Sequence, residues 1–525
     1  MWGFATADRS WQIPAAQVAQ QLDQLAADRP RWVLWRASTT RLVEQGLRPR
    51  AAWDLGAVNR LLHGGRRDDP GAVWAGAHGL PVPPPSRHEL TLLDGVGSAV
   101  HGDPRDPVRA DGSLHPEWAR EQGGDPARWA ALALDVQARQ EAALAELPDP
   151  RVHLRAPHLP LLTAWGESAA SVFAVELEHD GLPFDRREAE RLIGPRPADV
   201  SADRAARDAP VLALLPEWCD LRNPRAVREV LARRGIDVPD TRSWRLEPYR
   251  QAHSLVEALL TWRKAERLAT TYGWAWLDAQ VGPDGRLRGQ WSASDGGAGR
   301  MTASAGLHNL PIELRSAVAA EPGHVLVRAD LGQAEPRVLA AVSGDAALAV
   351  AARDDDMYTP VARQLGCDRP TAKVAVLAAM YGQTSGPAGQ ALRQMEQAYP
   401  VALAFLRAAE LAGRTGVDLR THGGRLVRVG TGGAGRYARN AVVQGAAAEL
   451  FKAWAATVRN GLGDGRVVLC LHDELLLHVP VEQAGAAVEL LHQGLRATTG
   501  HWAAGSGVRF VADVSVVGRW CEAKG

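Results

Sequence analysis

The sequence predicts an α+β fold, an antiparallel sheet with helices on one side and long helical insertions. Three observations carry that prediction. Hydrophobic, strand-like runs occupy 324–330, 466–480 and 508–517. Helix-period patterns dominate 225–275, 340–365 and 436–460. Two of the strand runs end in an aspartate with a glutamate close behind. His324-Val-Leu-Val-Arg-Ala-Asp330 leads into Leu-Gly-Gln333-Ala-Glu335-Pro-Arg337, and Val467-Val-Leu-Cys-Leu-His472-Asp473-Glu474-Leu-Leu-Leu-His-Val reads as strand, tight turn, strand.

A chain of 525 residues buries a large core and is expected to form two or more domains. Turns and polar breaks punctuate the first 150 residues, and no repeat is evident. Pro81-Val-Pro-Pro-Pro-Ser86, Leu147-Pro-Asp-Pro150 and the Gly-rich stretches 294–299 and 429–435 read as linkers. The last of these lacks the Gly-Lys-Ser/Thr of a phosphate-binding P-loop and is expected to be a flexible connection. No apolar run approaches the roughly 20 residues of a membrane span and no signal peptide is present, so a soluble, cytoplasmic protein without membrane contact is expected. Cys219, Cys367, Cys470 and Cys521 form no CxxC pair or metal spacing and read as reduced.

The 60 basic and 60 acidic residues balance to a net charge of zero. Attraction to nucleic acid depends on local charge, however, and residues 401–460 are rich in arginine whereas 101–150 are acidic. Only four lysines stand in the chain, and Lys264, Lys373 and Lys452 fall in or near the segments that carry the chemistry. A compact ammonium suits a phosphate where a planar guanidinium fork does not substitute for it.

Two carboxylates delivered by neighbouring strands can hold a pair of Mg2+ ions about 3.5–4 Å apart for in-line phosphoryl transfer. Aspartate at a strand end is also ordinary turn chemistry, so the weight comes from what lies between the two. In Arg369-Pro-Thr-Ala-Lys-Val-Ala-Val-Leu-Ala-Ala-Met-Tyr-Gly382, helix formers dominate and the proline falls in a first turn. Spacing of four puts Arg369, Lys373, Leu377 and Tyr381 on one stripe, two cations first and an aromatic ring last. Cations can hold a triphosphate and the apolar end can receive a base or sugar.

With these residues in place the chain resembles the family A DNA polymerases, the DNA polymerase I type. Asp330 to Arg337 looks like that family's first palm motif, Arg369 to Gly382 like its fingers helix, and Leu471-His-Asp-Glu474 like its third motif. Gly299-Arg300, Asn309-Leu-Pro311 and Arg315 are similar to the segment that opens the palm. Thr421-His-Gly-Gly-Arg425, Arg436 and Asn440-Ala-Val-Val-Gln444-Gly445 resemble the late fingers. Upstream, Glu178 to Asp185, Asn223-Pro-Arg and Arg263 to Tyr272 look like the entry into palm and thumb. The resemblance covers roughly 155–525.

The resemblance implies a right-hand polymerase: thumb about 185–290, palm about 291–345 and 456–525 on an antiparallel sheet, and fingers about 346–455. An α/β domain like a 3′–5′ exonuclease would fill 1–150, with the polymerase in 151–525. It implies that Asp330 and Asp473 bind two Mg2+ ions, with Mn2+ as a substitute, and that Glu474 joins them in catalysis. Arg369 and Lys373 would clamp the β and γ phosphates. Gln333, Glu335, Tyr358, Leu377 and Tyr381 would contact the dNTP, Glu335 excluding a 2′-hydroxyl. Lys264, Arg300, Asn309, Arg315, Arg425, Asn440, Gln444 and His472 would contact primer-template DNA. Minor-groove acceptors recur at every base pair, so donors there test pair geometry without reading sequence. Asn440 and Gln444 share a helical face with Lys452 further along it, and a polar stripe facing solvent is the other reading for that lysine.

The sequence departs from the family pattern in places. Leu377 stands where an aromatic residue is usual, Val376 where an asparagine-like one is, and Tyr358 where a phosphate-contacting histidine is. Losing a stacked ring is worth roughly 1–3 kcal/mol per base. A slow, poorly processive polymerase is expected. Residues 1–150 contain no Asp-x-Glu, and Asp54 and Asp135 match later exonuclease aspartates only weakly. The expected activity is template-directed, monomeric DNA synthesis on a primer, in repair or gap filling at the bacterial nucleoid, without a 5′-nuclease. The alternatives are an active 3′–5′ exonuclease beside the polymerase, or a primer-template binder that synthesises little.

Overall fold

The predicted antiparallel sheet is present, with four strands. They are β1 (His324–Leu331), β2 (Arg466–Leu471), β3 (Glu474–Pro480) and β4 (Ala512–Val517), in the order β2-β3-β1-β4. The computed structural model describes residues 1–84, 106–115, 118, 125–151, 156–382 and 387–523. Leu475, Leu476 and Leu477 of β3 are fully buried, because a central strand covered on both faces reads as a continuous apolar run. The expected strand at 508–517 begins only at Ala512. Between β2 and β3 the turn is His472-Asp473, with His472 at φ 56° in the left-handed region.

Register is what positions the acids. Glu474 of β3 and Asp513 of β4 both lie opposite Asp330 of β1. The Leu331 N–H donates to the Asp473 carbonyl at 2.8 Å, which fastens the β2–β3 turn to the end of β1.

In the same compact unit the helix Ala484–Trp502 packs on β1, β3 and β4, and five more helices build the surroundings of the sheet end: α1 (Leu159–Asp180), α2 (Ala334–Ser343), α3 (Arg369–Tyr381), α4 (Pro400–Thr415) and α5 (Gly435–Gly461). Asp368 caps α3 by accepting from the Thr371 N–H, Pro370 sits in its first turn, and Gly382 in the left-handed region ends it. Helix α5 is buried nearly all round and packs against α1, α2, α3 and α4. Its approach to α4 depends on Gly413, where an added Cβ would lie 2.5 Å from the Ala438 Cβ. The expected helical run 340–365 is broken into Ala346–Ala351 and Tyr358–Leu365 after α2 ends at left-handed Gly344.

That unit comprises Met1–Leu182, Gln290–Ser304 and Glu321–Gly518. Its first residues form an antiparallel pair, Trp2–Ala5 with Ser10–Ile13, and a parallel pair, Arg31–Leu34 with Ala51–Asp54, among helices. A core of Trp53, Leu55, Val58, Trp74 and Trp129 holds them. Two expected linkers are not loose. Residues 294–299 turn a hairpin between Trp291–Asp295 and Arg300–Ala303. At 147–150, Asp149 ion-pairs with Arg151 at 2.6 Å and accepts from the Leu159 N–H at 3.0 Å.

The second unit comprises Pro183–Gly289, Ala305–Ala320 and Arg519–Gly525. The predicted helical run 225–275 is divided into Pro224–Arg233, Ser243–Leu246 and Ser254–Thr271, with Pro239 in the break. Asn223 caps the first of these helices on the Arg225 and Ala226 N–H groups. Val227, Leu231, Leu255, Leu259 and Trp262 make its core. Among the described residues no helix is long and apolar enough to cross a membrane.

Helices α1 and α5 meet over a buried ionic cluster. Both oxygens of Glu167 accept from Lys452 Nζ at 2.8 Å, and Arg425 pairs with the same carboxylate. Lys452 therefore does not face solvent, and its side chain is 1% exposed. Beside it Glu449 accepts from Thr421 and from the Gly423 N–H, and burial pushes its carboxyl up to about 7. Removing one partner of a buried pair leaves uncompensated charge. Glu167→Ala, which strands two cations, should cost about 3–5 kcal/mol in a urea titration; a loss below about 1 kcal/mol would show that the cluster is not holding α1 to α5.

Candidate active site

The end of the sheet where β1 meets the β2–β3 turn collects carboxylates around one cation. Asp330 stands near the end of β1, and Arg328, two residues earlier, shares its face. The Arg328 side chain is 2% exposed and pairs with Asp330, with Glu474 at 3.3 Å and with Asp513 at 3.5 Å. Burial, followed by the charge of Asp330, pushes the Asp473 carboxyl up to about 6. A buried acid whose ionisation a neighbouring carboxylate opposes is a place where a cation is stabilised. His472 is exposed at the tip of the turn.

Just past β1 the chain enters α2 through Gln333, held at φ 54°. Its amide donates to Asp356 at 2.6 Å and its carbonyl oxygen accepts from the Met357 N–H at 2.9 Å. Asp356 in turn takes two hydrogen bonds from Arg369, at 2.7 and 3.0 Å, which hold its carboxyl well below the usual range. The Arg369 guanidinium also lies over the Tyr358 ring, 5.6 Å from its centroid, and that ring is buried. Arg337 supports the corner from beneath, donating to the carbonyls of Gly332, Ala352, Asp354, Asp355 and Arg509.

Along α3 the expected stripe is realised. Lys373 is exposed one turn beyond Arg369, and Leu377 is half-buried another turn on. Tyr381 donates to Glu335 Oε2 at 3.0 Å, and burial raises its hydroxyl to about 12. Gln444 of α5 hydrogen-bonds the same tyrosine, and Arg300 acts on Glu335 through its charge. Burial also raises the Glu335 carboxyl. Helices α3 and α5 and the 291–303 hairpin thus converge on the Tyr381–Glu335 pair. Asn440, one turn before Gln444, is partly buried.

Other expected DNA contacts have different surroundings. Arg425 is buried on Glu167, as described, so its guanidinium is not presented at the surface. Lys264, Asn309 and Arg315 belong to the second unit. There Lys264 lies 3.5 Å from Glu313, the Asn309 carbonyl accepts from Tyr272 at 2.8 Å, and Arg315 covers the Trp520 ring at 4.3 Å.

Arg328, Asp356 and Asp513 were not singled out in the sequence. The alternation of β1 carries a signal for Arg328, because a charged residue inside a buried strand needs a carboxylate partner. Asp356 carries none, since its partners Gln333 and Arg369 lie on either side of it in separate segments.

Residues 224–402 match the family model for DNA polymerase family A. Thermostable DNA polymerase I of Thermus filiformis is 32% identical over 294 residues, covering 47% of this chain and 34% of the relative. The Thermus thermophilus enzyme is 33% identical over 282 residues, covering 46% and 34%. DNA polymerase I of Chloroflexus aurantiacus is 29% identical over 291 residues, covering 47% and 30%. The matches span about a third of these relatives' length, 30–34%. The solved polymerase domain of Pol1 from M. smegmatis, in complex with DNA primer-template and dNTP, superposes with a TM-score of 0.59 at 22% identity over 76% of each chain, a likeness of fold. Asp330, Arg369 and Lys373 all fall inside the segment, 224–402, that matches DNA polymerase family A.

Proposed function

We propose that the chain is a template-directed DNA polymerase that adds deoxynucleotides to a primer 3′ end by phosphoryl transfer. The observation that carries this reading is the register opposing Asp330 to Glu474 with Asp473 in the adjoining turn. Hard carboxylate oxygens in this arrangement fit divalent magnesium or manganese, and the raised Asp473 fits a group that ionises fully when such an ion binds. Bound ions would lower the pKa of the primer 3′-hydroxyl and neutralise charge on the leaving pyrophosphate. The chain's own part is positioning. Arg369 exchanges Asp356 for the β and γ phosphates, Lys373 adds a point charge one turn along, and Tyr381 with Glu335 closes the sugar side.

Short, distributive synthesis, as in repair or gap filling, fits Leu377 in place of a stacking ring. The rival reading, a primer-template binder with little synthesis, draws on the same leucine and on the Arg369–Asp356 pair. For 1–150 we favour an exonuclease-like region that does not cleave. Asp54 is buried as a helix cap on the Ala57 N–H, and Asp135 is paired with His78 at 2.9 Å and Arg139 at 3.2 Å. Nearby Asp68 pairs with Arg36 at 2.5 Å and Arg60 at 3.4 Å, so cations of the chain occupy its carboxylate.

Primer extension on a 5′-labelled, annealed oligonucleotide with Mg2+ and single dNTPs tests the proposal. Template-matched addition, absent in Asp473→Ala, is expected. Tight DNA binding without addition would favour the rival, and primer shortening without dNTP would restore the exonuclease.

The raised Asp473 also sets a stability profile. A carboxyl whose folded-state value lies above its unfolded one contributes stability that is complete below the unfolded value. That contribution is lost as pH rises through about 6. Without divalent ions, Asp473→Asn should therefore be more stable than the parent by about 1–3 kcal/mol at about pH 8, the gain shrinking as pH falls below the folded value. Equal denaturation midpoints for parent and variant at about pH 8 would contradict it.

A further inference from the structure

Three potential ligands meet at the opposite end of the sheet from Asp330. Alternation along β1 puts His324 on the same face as Asp330, and six residues of strand separate them by roughly 20 Å. The register pairs His324 with Pro480 and His478 with Leu326, so the two histidines are diagonal neighbours on adjacent strands. Their rings stack with centroids 4.4 Å apart and planes 9° from parallel. Glu321, in the turn that enters β1, reaches the same point, its Oε2 3.9 Å from His478 Nε2. One ligand atom from each of the three lies within 4.8 Å of the others.

We propose that Glu321, His324 and His478 bind one first-row transition-metal ion, with Zn2+ the best match. The donor set is two imidazoles and a carboxylate, which suits zinc with water in a fourth position and is a poor match for magnesium or calcium. Tautomers favour it. His324 Nδ1 lies 3.3 Å from the Pro322 carbonyl, so donation there turns the Nε2 lone pair outward, as the outer hydrogen bond of a metal-bound histidine does. The Glu321 N–H donates to His478 Nε2 at 3.2 Å, so this nitrogen also carries a lone pair, which the ion takes over.

An imidazole lone pair lies in the ring plane, so binding must open the parallel stack. His324 is the member able to rotate, being half-buried, whereas the His478 side chain is 5% exposed. Glu321, 41% exposed, leaves the approach open to solvent. The ion would tie the Glu321–Gly323 turn to the β1–β3 pair, independently of the polymerase reading.

Zn2+ is titrated into the full chain calorimetrically, with Mg2+ in excess to occupy the Asp330–Asp473 end, and Co2+ replaces it for visible absorption. One ion per chain, a four-coordinate Co2+ spectrum and a Zn2+-dependent rise in melting temperature are expected. His324→Ala and Glu321→Gln should each weaken binding by at least about tenfold, and Asp330→Asn should not. His478 is left intact because its burial makes a folding defect the first consequence of replacing it. No saturable binding, equal binding by the parent and His324→Ala, or loss of the ion in Asp330→Asn would overturn the site.

Discussion

The pairing of β3 with β1 in one register is the constraint on which the site depends. A shift of one residue would turn every side chain of β3 to the opposite face, separating Glu474 from Asp330 and moving the Asp473 turn. The Leu331 N–H bond to the Asp473 carbonyl resists that slip locally, and the buried leucines of β3 resist it along the strand. Arg328 supplies the electrostatic half. Three acids at one sheet end would repel, and a nearly inaccessible guanidinium touching all three lets them stand together. Burial and the neighbouring acids that raise Asp473 make its ionised form a cost to stability.

Around that centre the polar groups are tied to one another. Gln333 joins the entrance of α2 to Asp356, Asp356 joins it to the start of α3 through Arg369, and Tyr381 joins the end of α3 to Glu335 in α2. Both ends of α3 are thus latched to the first turns after β1. Under the proposed function, breaking the Arg369–Asp356 pair is the step that a triphosphate, with more charge than one carboxylate, would drive. Further out, the Glu167–Lys452–Arg425 cluster fixes α5, the helix that carries Asn440 and Gln444, to α1.

What was legible in the sequence followed local physics. β1, the β2–β3 hairpin and α5 were read within a residue or so, because an apolar strand run or an unbroken helical period needs no distant partner. The α3 stripe was legible for the same reason, Asp368, Pro370 and Gly382 marking its ends. Partners distant in sequence were hidden. Nothing local says that Arg425 or Lys452 will be buried, since their counter-ion Glu167 is more than 250 positions away. The Gly-rich 294–299 stretch looked like a linker because a hairpin turn and a flexible joint use the same residues. The trio Glu321, His324 and His478 gave no spacing signal, since strand pairing alone brings it together.

If Asp330 and Asp473 act as one unit, their losses are not additive. Single-turnover incorporation of a matched dNTP by Asp330→Asn, Asp473→Asn and the double variant measures this directly. Each single change should slow the step nearly as much as both together. Independent effects that multiply in the double variant, or a near-normal rate in either single one, would contradict a site built on the shared carboxylate end of β1 and β3.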